Sequence, residues 1–322
     1  MRRLARASAA LLAFLLLATP APPVPPPGPG EQAVARLTAE PVPLNPDDPA
    51  QTNLGPLRYL GGWKLTSDDR RFGAISGLAV DGDRLLALSD QGILFRFAPP
   101  PTGNNVEIIP LIEGPGARGS KADRDSESLV LHDGRIWIGY ENSNQIWRYR
   151  LGDFAAEAHH RPDAMRRWSG NRGAESLVRL SDGRFLAIRE DVDDEGLSDA
   201  VLFAGDPAEP GTAATRFKVD PPPQFRFTDA AQLPDGRLLL LARSVGLLSG
   251  WTGRLMLAEL PAGDVRQMPV REIAAFESPL TRDNLEGLAV AQEDGRTIIW
   301  IASDDNLFGL QRTLLLKFEW LG

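Results

Sequence analysis

Residues 175–190 read ESLVRLSDGRFLAIRE: an acid, a short apolar stretch, an Asp-Gly turn, a second and more apolar stretch, and an acid again. Two apolar runs of this length flanking a turn dipeptide are the pattern of a β-hairpin. The pattern recurs as SGLAVDGDRLLALSD from Ser76, ESLVLHDGRIWIGYE from Glu127, DAAQLPDGRLLLLARS from Asp229 and EGLAVAQEDGRTIIWIASD from Glu286. The five copies start at 76, 127, 175, 229 and 286, and so lie 51, 48, 54 and 57 residues apart. A period near 50 built on paired strands is the signature of a β-propeller blade. Two further strand candidates come after each hairpin, residues 92–98 and 106–112 in the first unit. That makes four strands per unit, as a blade requires. The chain is expected to be all-β, a propeller of five blades by the motif count, with a sixth, degenerate blade as the alternative. A pair of β-sandwiches explains the period poorly.

The last unit retains only three strands, ending at residues 313–320. Residues 57–65 (LRYLGGWKL), ahead of the first unit, are the expected fourth, an N-terminal strand that closes the ring and removes its open edges. Trp137, Trp147, Trp251, Trp300 and Trp320 fall mostly on strand patterns and are expected in the core between blades.

Upstream of the repeats, Arg2, Arg3 and Arg6 precede an apolar run at 9–18, and small residues stand at Thr19 and Ala21. That is an export signal over residues 1–21, too short to span a bilayer, with an uncleaved signal anchor as the alternative. Residues 22–54 read as a Pro-rich tether and lead-in, with a strand candidate at 33–38, and the propeller domain as residues 55–322. The expected destination is the periplasm. The 322 residues contain 35 Lys and Arg, 43 Asp and Glu, three His and no Cys. A net charge of −8 argues against a nucleic-acid binder that works by neutralising phosphates. Without Cys there is no disulfide, thiolate metal site or cysteine nucleophile.

In an antiparallel blade the start of the first strand lies beside the end of the second. Strand starts carry Glu127, Glu175, Asp229 and Glu286; strand ends carry Asp90, Glu141, Glu190 and Asp304, with Arg243 in the fourth unit. Eight carboxylates are thus expected around one mouth of the central channel. An Arg recurs three residues before the acid, at Arg124, Arg172 and Arg226, with Arg282 displaced by one. One reading is structural, with Arg–carboxylate pairs fastening adjacent blades. The other is a ligand site, with crowded acids recruiting a hard cation such as Ca²⁺ and the Arg residues holding an anionic oxygen. No G-x-S-x-G elbow is present; His132 lies in a hairpin turn and His159 and His160 in a polar segment, so a Ser-His-Asp hydrolase is disfavoured.

The strings FGAISGLAV at 72–80, DSESLVL at 125–131, NRGAESLVRLSDG at 171–183, DAAQLPDGRLLLL at 229–241, NLEGLAV at 284–290 and SDDNLFGLQRTLLLKFEW at 303–320 resemble the family called "esterase-like activity of phytase". The resemblance covers nearly all of 55–322. It implies a bacterial, usually exported, propeller-like protein and hydrolysis of phosphoesters or esters. The polar positions it carries over are Asp90, Asp125, Glu127, Glu141, Asn171, Glu175, Glu190, Asp229, Arg243, Asn284, Glu286, Asp304, Asp305 and Asn306. Family members tend to show Leu-Glu-Arg where this chain has Leu241-Ala242-Arg243, which puts one potential ligand in doubt.

Two functional expectations result. In the enzymatic one, Ca²⁺ held by Glu127, Glu175, Glu286 and Asp304 activates water, and Arg172 and Arg243 offset the charge that builds on a phosphoester or ester. Glu127, Glu175, Glu286, Arg172 and Arg243 are then the catalytic set. Arg124, Asn171, Glu141, Glu190, Asn284 and Asn306 contact a small anionic or ester substrate at the channel mouth. In the other, the same mouth of an exported propeller binds a ligand or envelope partner without catalysis. Neither involves nucleic acid or a membrane span after signal cleavage, and a monomer is expected.

Overall fold

The computed structural model of the chain describes residues 31–117, 120–168, 173–261, 263, 266–307 and 309–322. The chain enters through β1 (Ala33–Pro41), β2 (Asn53–Leu54) and β3 (Leu57–Ser67). The first antiparallel group is β4 (Ile75–Asp81), β5 (Arg84–Ser89), β6 (Ile93–Phe97) and β7 (Asn105–Pro110). The second is β8 (Ser126–His132), β9 (Arg135–Tyr140), β10 (Gln145–Arg150) and β11 (Ala156–His160). The third is β12 (Ala174–Arg179), β13 (Phe185–Val192), β14 (Ser198–Phe203) and β15 (Ala214–Val219). Next come β16 (Arg226–Gln232), β17 (Leu238–Gly246) and β18 (Gly250–Ala258); the two-residue β19 (Gln267–Met268) pairs back with β15, and β20 (Val270–Phe276) completes the group. Last are β21 (Asn284–Glu293), β22 (Arg296–Asp304) and β23 (Leu314–Trp320). Beside β23 lies β3, antiparallel, from Leu314 opposite Lys64 to Trp320 opposite Leu57.

Local chemistry makes these hairpins. At Asp133-Gly134 and Asp294-Gly295 both residues have positive φ, the backbone that matches strand twist in a tight turn and that Asp and Gly tolerate best. The strands between the turns are buried on both faces, so they read as nearly continuous apolar runs. Five apolar clusters result, and each joins two neighbouring groups. Leu86 and Leu88 meet Ile136 and Ile138; Trp137 and Val130 meet Leu177 and Phe185; Leu186 and Ile188 meet Leu238 and Leu240. Leu239 and Leu241 meet Ile299 and Ile301, and Trp300 and Leu315 meet Leu78 and Phe95. The innermost strands β4, β8, β12, β16 and β21 lie against one another in that order, and β21 lies against β4. This is an all-β propeller architecture.

The N-terminal segment does more than lead in. Strand β1 pairs with β3 on one side and with β7 on the other, so it joins the outer edges of the first and last groups. Leu37 is buried between them, and Leu44 is buried in the cluster shared with Leu241 and Leu285. Strands β1 and β2 and Leu44, which the sequence reading assigns to a lead-in ahead of residue 55, are therefore paired and packed with the propeller. Of the five tryptophans expected in the core, Trp137, Trp147 and Trp300 are buried in the clusters and Trp320 packs at the edge of one, whereas Trp251 stands on the β17–β18 hairpin. No helix among the described residues is long and apolar enough to cross a membrane. The expected signal over 1–21 lies outside the described residues.

Candidate functional site

Each innermost strand breaks register with its partner at the same place: Ile75/Gly77, Ser126/Ser128, Ala174/Ser176, Phe227/Asp229 and Leu285/Gly287. The unpaired residue of each bulge is Ser76, Glu127, Glu175, Thr228 or Glu286. A β-bulge re-aims a side chain that regular pairing would send into the sheet packing. Two residues upstream of each bulge, the backbone meets the end of the second strand. Asp90, Glu141 and Glu190 donate their N–H groups to the carbonyls of Ala74, Asp125 and Gly173, while Arg243 lies opposite Arg226 and Asp304 opposite Asn284. Two stacked tiers of five positions result. They hold seven carboxylates and one cation: Glu127, Glu175 and Glu286, then Asp90, Glu141, Glu190, Asp304 and Arg243.

Asp229, expected in this ring, sits one position past it. Its buried carboxylate accepts the N–H of Leu288 at 2.7 Å and that of Ala230 at 2.8 Å, tying β16 to β21. Thr228 holds the bulge position instead, and its hydroxyl donates to the Leu285 carbonyl, as Ser76 donates to that of Ser126. Counting back from the turn would have found it, because Glu175 precedes Asp182 by seven residues, as Thr228 precedes Asp235. Ala242, the position that departs from the family pattern, packs in an apolar cluster with Leu238 and Leu240.

The ligand set expected at the mouth divides. Carboxylate oxygens of Asp125, Glu127 and Glu141 lie within 4.8 Å of one another, and so do those of Glu141, Glu175 and Glu190. Glu141 belongs to both clusters. Glu286 and Asp304 belong to neither and are engaged otherwise. The Arg243 guanidinium ion-pairs with Glu286 at 3.1 Å and Glu190 at 3.3 Å, and its carbon lies 5.4 Å from the centre of the Trp251 ring. The Asn284 amide donates to Glu286 at 2.7 Å and to Asp304 at 3.4 Å, while its buried Oδ1 accepts no hydrogen bond from the described residues. Asp304 also accepts the N–H of Asn306, whose side chain is exposed and donates to Gln311.

These surroundings disfavour charge on the acids. Burial, then the nearby charges of Glu175 and Glu286, raises Glu127, itself half-buried, well above the carboxylate range. Burial and then Glu190 and Glu141 raise Glu175 likewise. Glu141 is pushed up to about 8 by burial and by Asp125, against the pull of the Gly173 N–H. Glu286 is pushed up to about 7 by burial, with Arg243 and Asn284 opposing. Asp304 is raised by burial and by Glu286 and Asp90. Arg243, among four carboxylates, is held still more firmly charged.

The Arg repeat has a different use from the one expected. Arg124 ends the single-turn helix α1 (Lys121–Arg124) and spends its guanidinium on the carbonyls of Pro115, Leu111 and Ile112. Arg226 donates to the carbonyl of Phe225, and Arg282 donates to those of Trp251, Leu280 and Ser249. Arg124 is therefore a strap on the segment 111–115. Asn171 and Arg172 lie outside the described residues.

A model of the phytase-like family, described as esterase-like activity of phytase, matches residues 70–307. A search of curated proteins finds no match. Among solved structures, a protein of unknown function from Dyadobacter fermentans is 13% identical with a TM-score of 0.44, over 82% of this chain and 99% of that one. The Malassezia sympodialis allergen Mala s 1 is 12% identical with a TM-score of 0.43, over 83% and 88%. The Cps50 (Swd1) β-propeller domain of Myceliophteria thermophila is 9% identical with a TM-score of 0.40, over 88% and 99%.

Proposed function

The chain belongs to the phytase-like family of esterase-like activity of phytase, and from that premise we propose that it is an exported, metal-dependent hydrolase of phosphoesters or esters. We read its five antiparallel groups as five blades around one channel, with β3 closing the ring. The observation that carries the proposal is the pair of carboxylate clusters sharing Glu141 beside Arg243.

The donor set is oxygen only, crowded and buried, which suits a hard cation such as Ca²⁺. Glu127, Glu141 and Glu175, with Asp125 and Glu190 at the flanks, would hold it; Glu286 and Asp304 are replaced in that role because Arg243 and Asn284 already engage them. When bound, such a cation polarises a phosphoryl or carbonyl oxygen and lowers the pKa of a coordinated water. The chain's own residues supply the rest. Glu286 and Glu190 fix the Arg243 guanidinium, and its remaining donors are available to an oxygen gaining negative charge. Held against the cation, Glu141 would be ionised and would accept a hydrogen bond from the attacking water. Asn284 holds Glu286 and Asp304 in place.

The second reading, a non-catalytic binding propeller, draws on the absence of a Ser-His pair among the described residues of the two tiers. Turnover of an aryl phosphate and an aryl ester, with EDTA and after Ca²⁺ is restored, separates the two. Loss with chelator and recovery with Ca²⁺ supports the hydrolase; no turnover under any condition leaves the binding reading. For export, the proposal is a mature chain beginning near Pro22, which N-terminal sequencing of the secreted fraction tests.

A further inference from the structure

The β17–β18 hairpin runs past the tiers. Leu247 lies four positions beyond Arg243 along the hairpin, so the tip stands about 13 Å past the Arg243 position. It ends in Leu247 and Leu248, which are 84% and 101% exposed. Water-facing leucines at a loop tip gain nothing from folding, yet this tip is held upright. Arg282 donates to the carbonyls of Trp251 at 2.8 Å and Ser249 at 3.1 Å. Arg312 in turn donates to the Arg282 carbonyl at 2.7 Å and pairs with Asp283 at 3.1 Å. Arg312 closes the loop that carries Leu310, itself 78% exposed, so both apolar tips rest on one network.

Alternation along the strand adds the direction. Arg243 and Val245 lie two residues apart and share a face, and Trp251 is the cross-strand partner of Val245. The face that puts Arg243 into the tier therefore continues upward as Val245 and Trp251, and the indole rests against the Arg243 guanidinium. The apolar surface is continuous with the polar site.

We propose that this lip binds the apolar portion of an amphiphilic substrate, a medium-chain alkyl or aryl ester of phosphate, while its anionic head sits at Arg243 and the carboxylate clusters. This rests on the hydrolase reading of the site and names its substrate class. A lone exposed patch would leave the occupant open. Here the shared face and the common bracing commit it to whatever enters the mouth.

Calorimetric binding of butyl, hexyl and octyl phosphate in the presence of Ca²⁺ tests the proposal without requiring turnover. One-sided contact should tighten binding about twofold per methylene, against about fourfold for full burial. The double variant Leu247→Ser, Leu248→Ser, whose melting temperature should match the wild type because the tip buries nothing, should flatten the series. Butyl phosphate binding without any gain along the series overturns the lip and leaves the head-group site standing. No binding of any member overturns both. Chain-length-dependent binding without turnover supports the lip and removes the hydrolase reading. A flat series together with a dimer that the double variant abolishes assigns the leucines to a second copy of the chain and overturns the proposal.

Discussion

A buried carboxyl group needs a proton, a cation or an N–H donor, and acids a few residues apart in this chain resolve that need differently. Asp229 uses two backbone N–H groups, so its role is cohesion between β16 and β21. Replacing it with Ala leaves two buried donors unpaired and should cost roughly 2–4 kcal/mol. At 2–4 °C per kcal/mol in a domain of this size, calorimetry should show a drop of roughly 5–15 °C, with any Ca²⁺ response retained. Glu127 and Glu175 face each other's charge. The double change to Gln removes that repulsion, so without metal the protein should be as stable as the wild type or more so. Its rise in melting temperature with Ca²⁺ should vanish; at a hundredfold excess over Kd that rise corresponds to roughly 2.7 kcal/mol in the wild type. An unchanged wild-type melting temperature across Ca²⁺ and EDTA would mean that protons and Arg243 already satisfy the ring.

Among the elements, the bulges decide what the tiers contain and the N-terminal strands decide how the edges are covered. One extra residue per inner strand shifts all pairing beyond it, which is why Thr228 and not Asp229 aligns with the glutamates. Strand β3 covers the edge of β23, and β1 covers both β3 and β7. A chain starting at residue 70 lacks both and should lose its single cooperative transition in thermal melts. A chain starting at residue 43 keeps β3 and loses β1; it should still unfold cooperatively, lower by roughly 5–10 °C for about 3 kcal/mol of lost pairing and burial. If the two truncations melt alike, β3 contributes nothing that β1 does not.

For the molecule as a whole, the buried acids couple stability to pH. The folded-state pKa values of Glu141 and Glu286 are raised, to about 8 and about 7, so between about pH 4.5 and 8 the metal-free folded chain holds protons that the unfolded chain has released. Stability should then be fully present below the unfolded value and fall as pH rises through the folded ones, by about 1.4 kcal/mol per pH unit for each proton retained. Denaturant titrations from pH 5 to 8.5 without metal should show that decline, and Ca²⁺ should flatten it. A flat profile without metal would mean the carboxyls are already ionised in the folded chain. Much of this architecture is legible in one dimension. Apolar runs, Asp-Gly turns and a fifty-residue period are local properties, so chain order alone yields the hairpins, the four-strand units and the shortfall in the last unit. It also yields the gathering of Glu127, Glu175 and Glu286, because equivalent places in a repeat become neighbours around its axis. Features that depend on contact between distant segments are not legible there: the double pairing of β1, the use of Arg124 and Arg282 on carbonyls, and the division of the acids into those that meet at Glu141 and those that Arg243 and Asn284 engage. A carboxylate's partner is set by distances of a few ångströms between strands far apart in sequence, and only the tertiary structure brings those strands together.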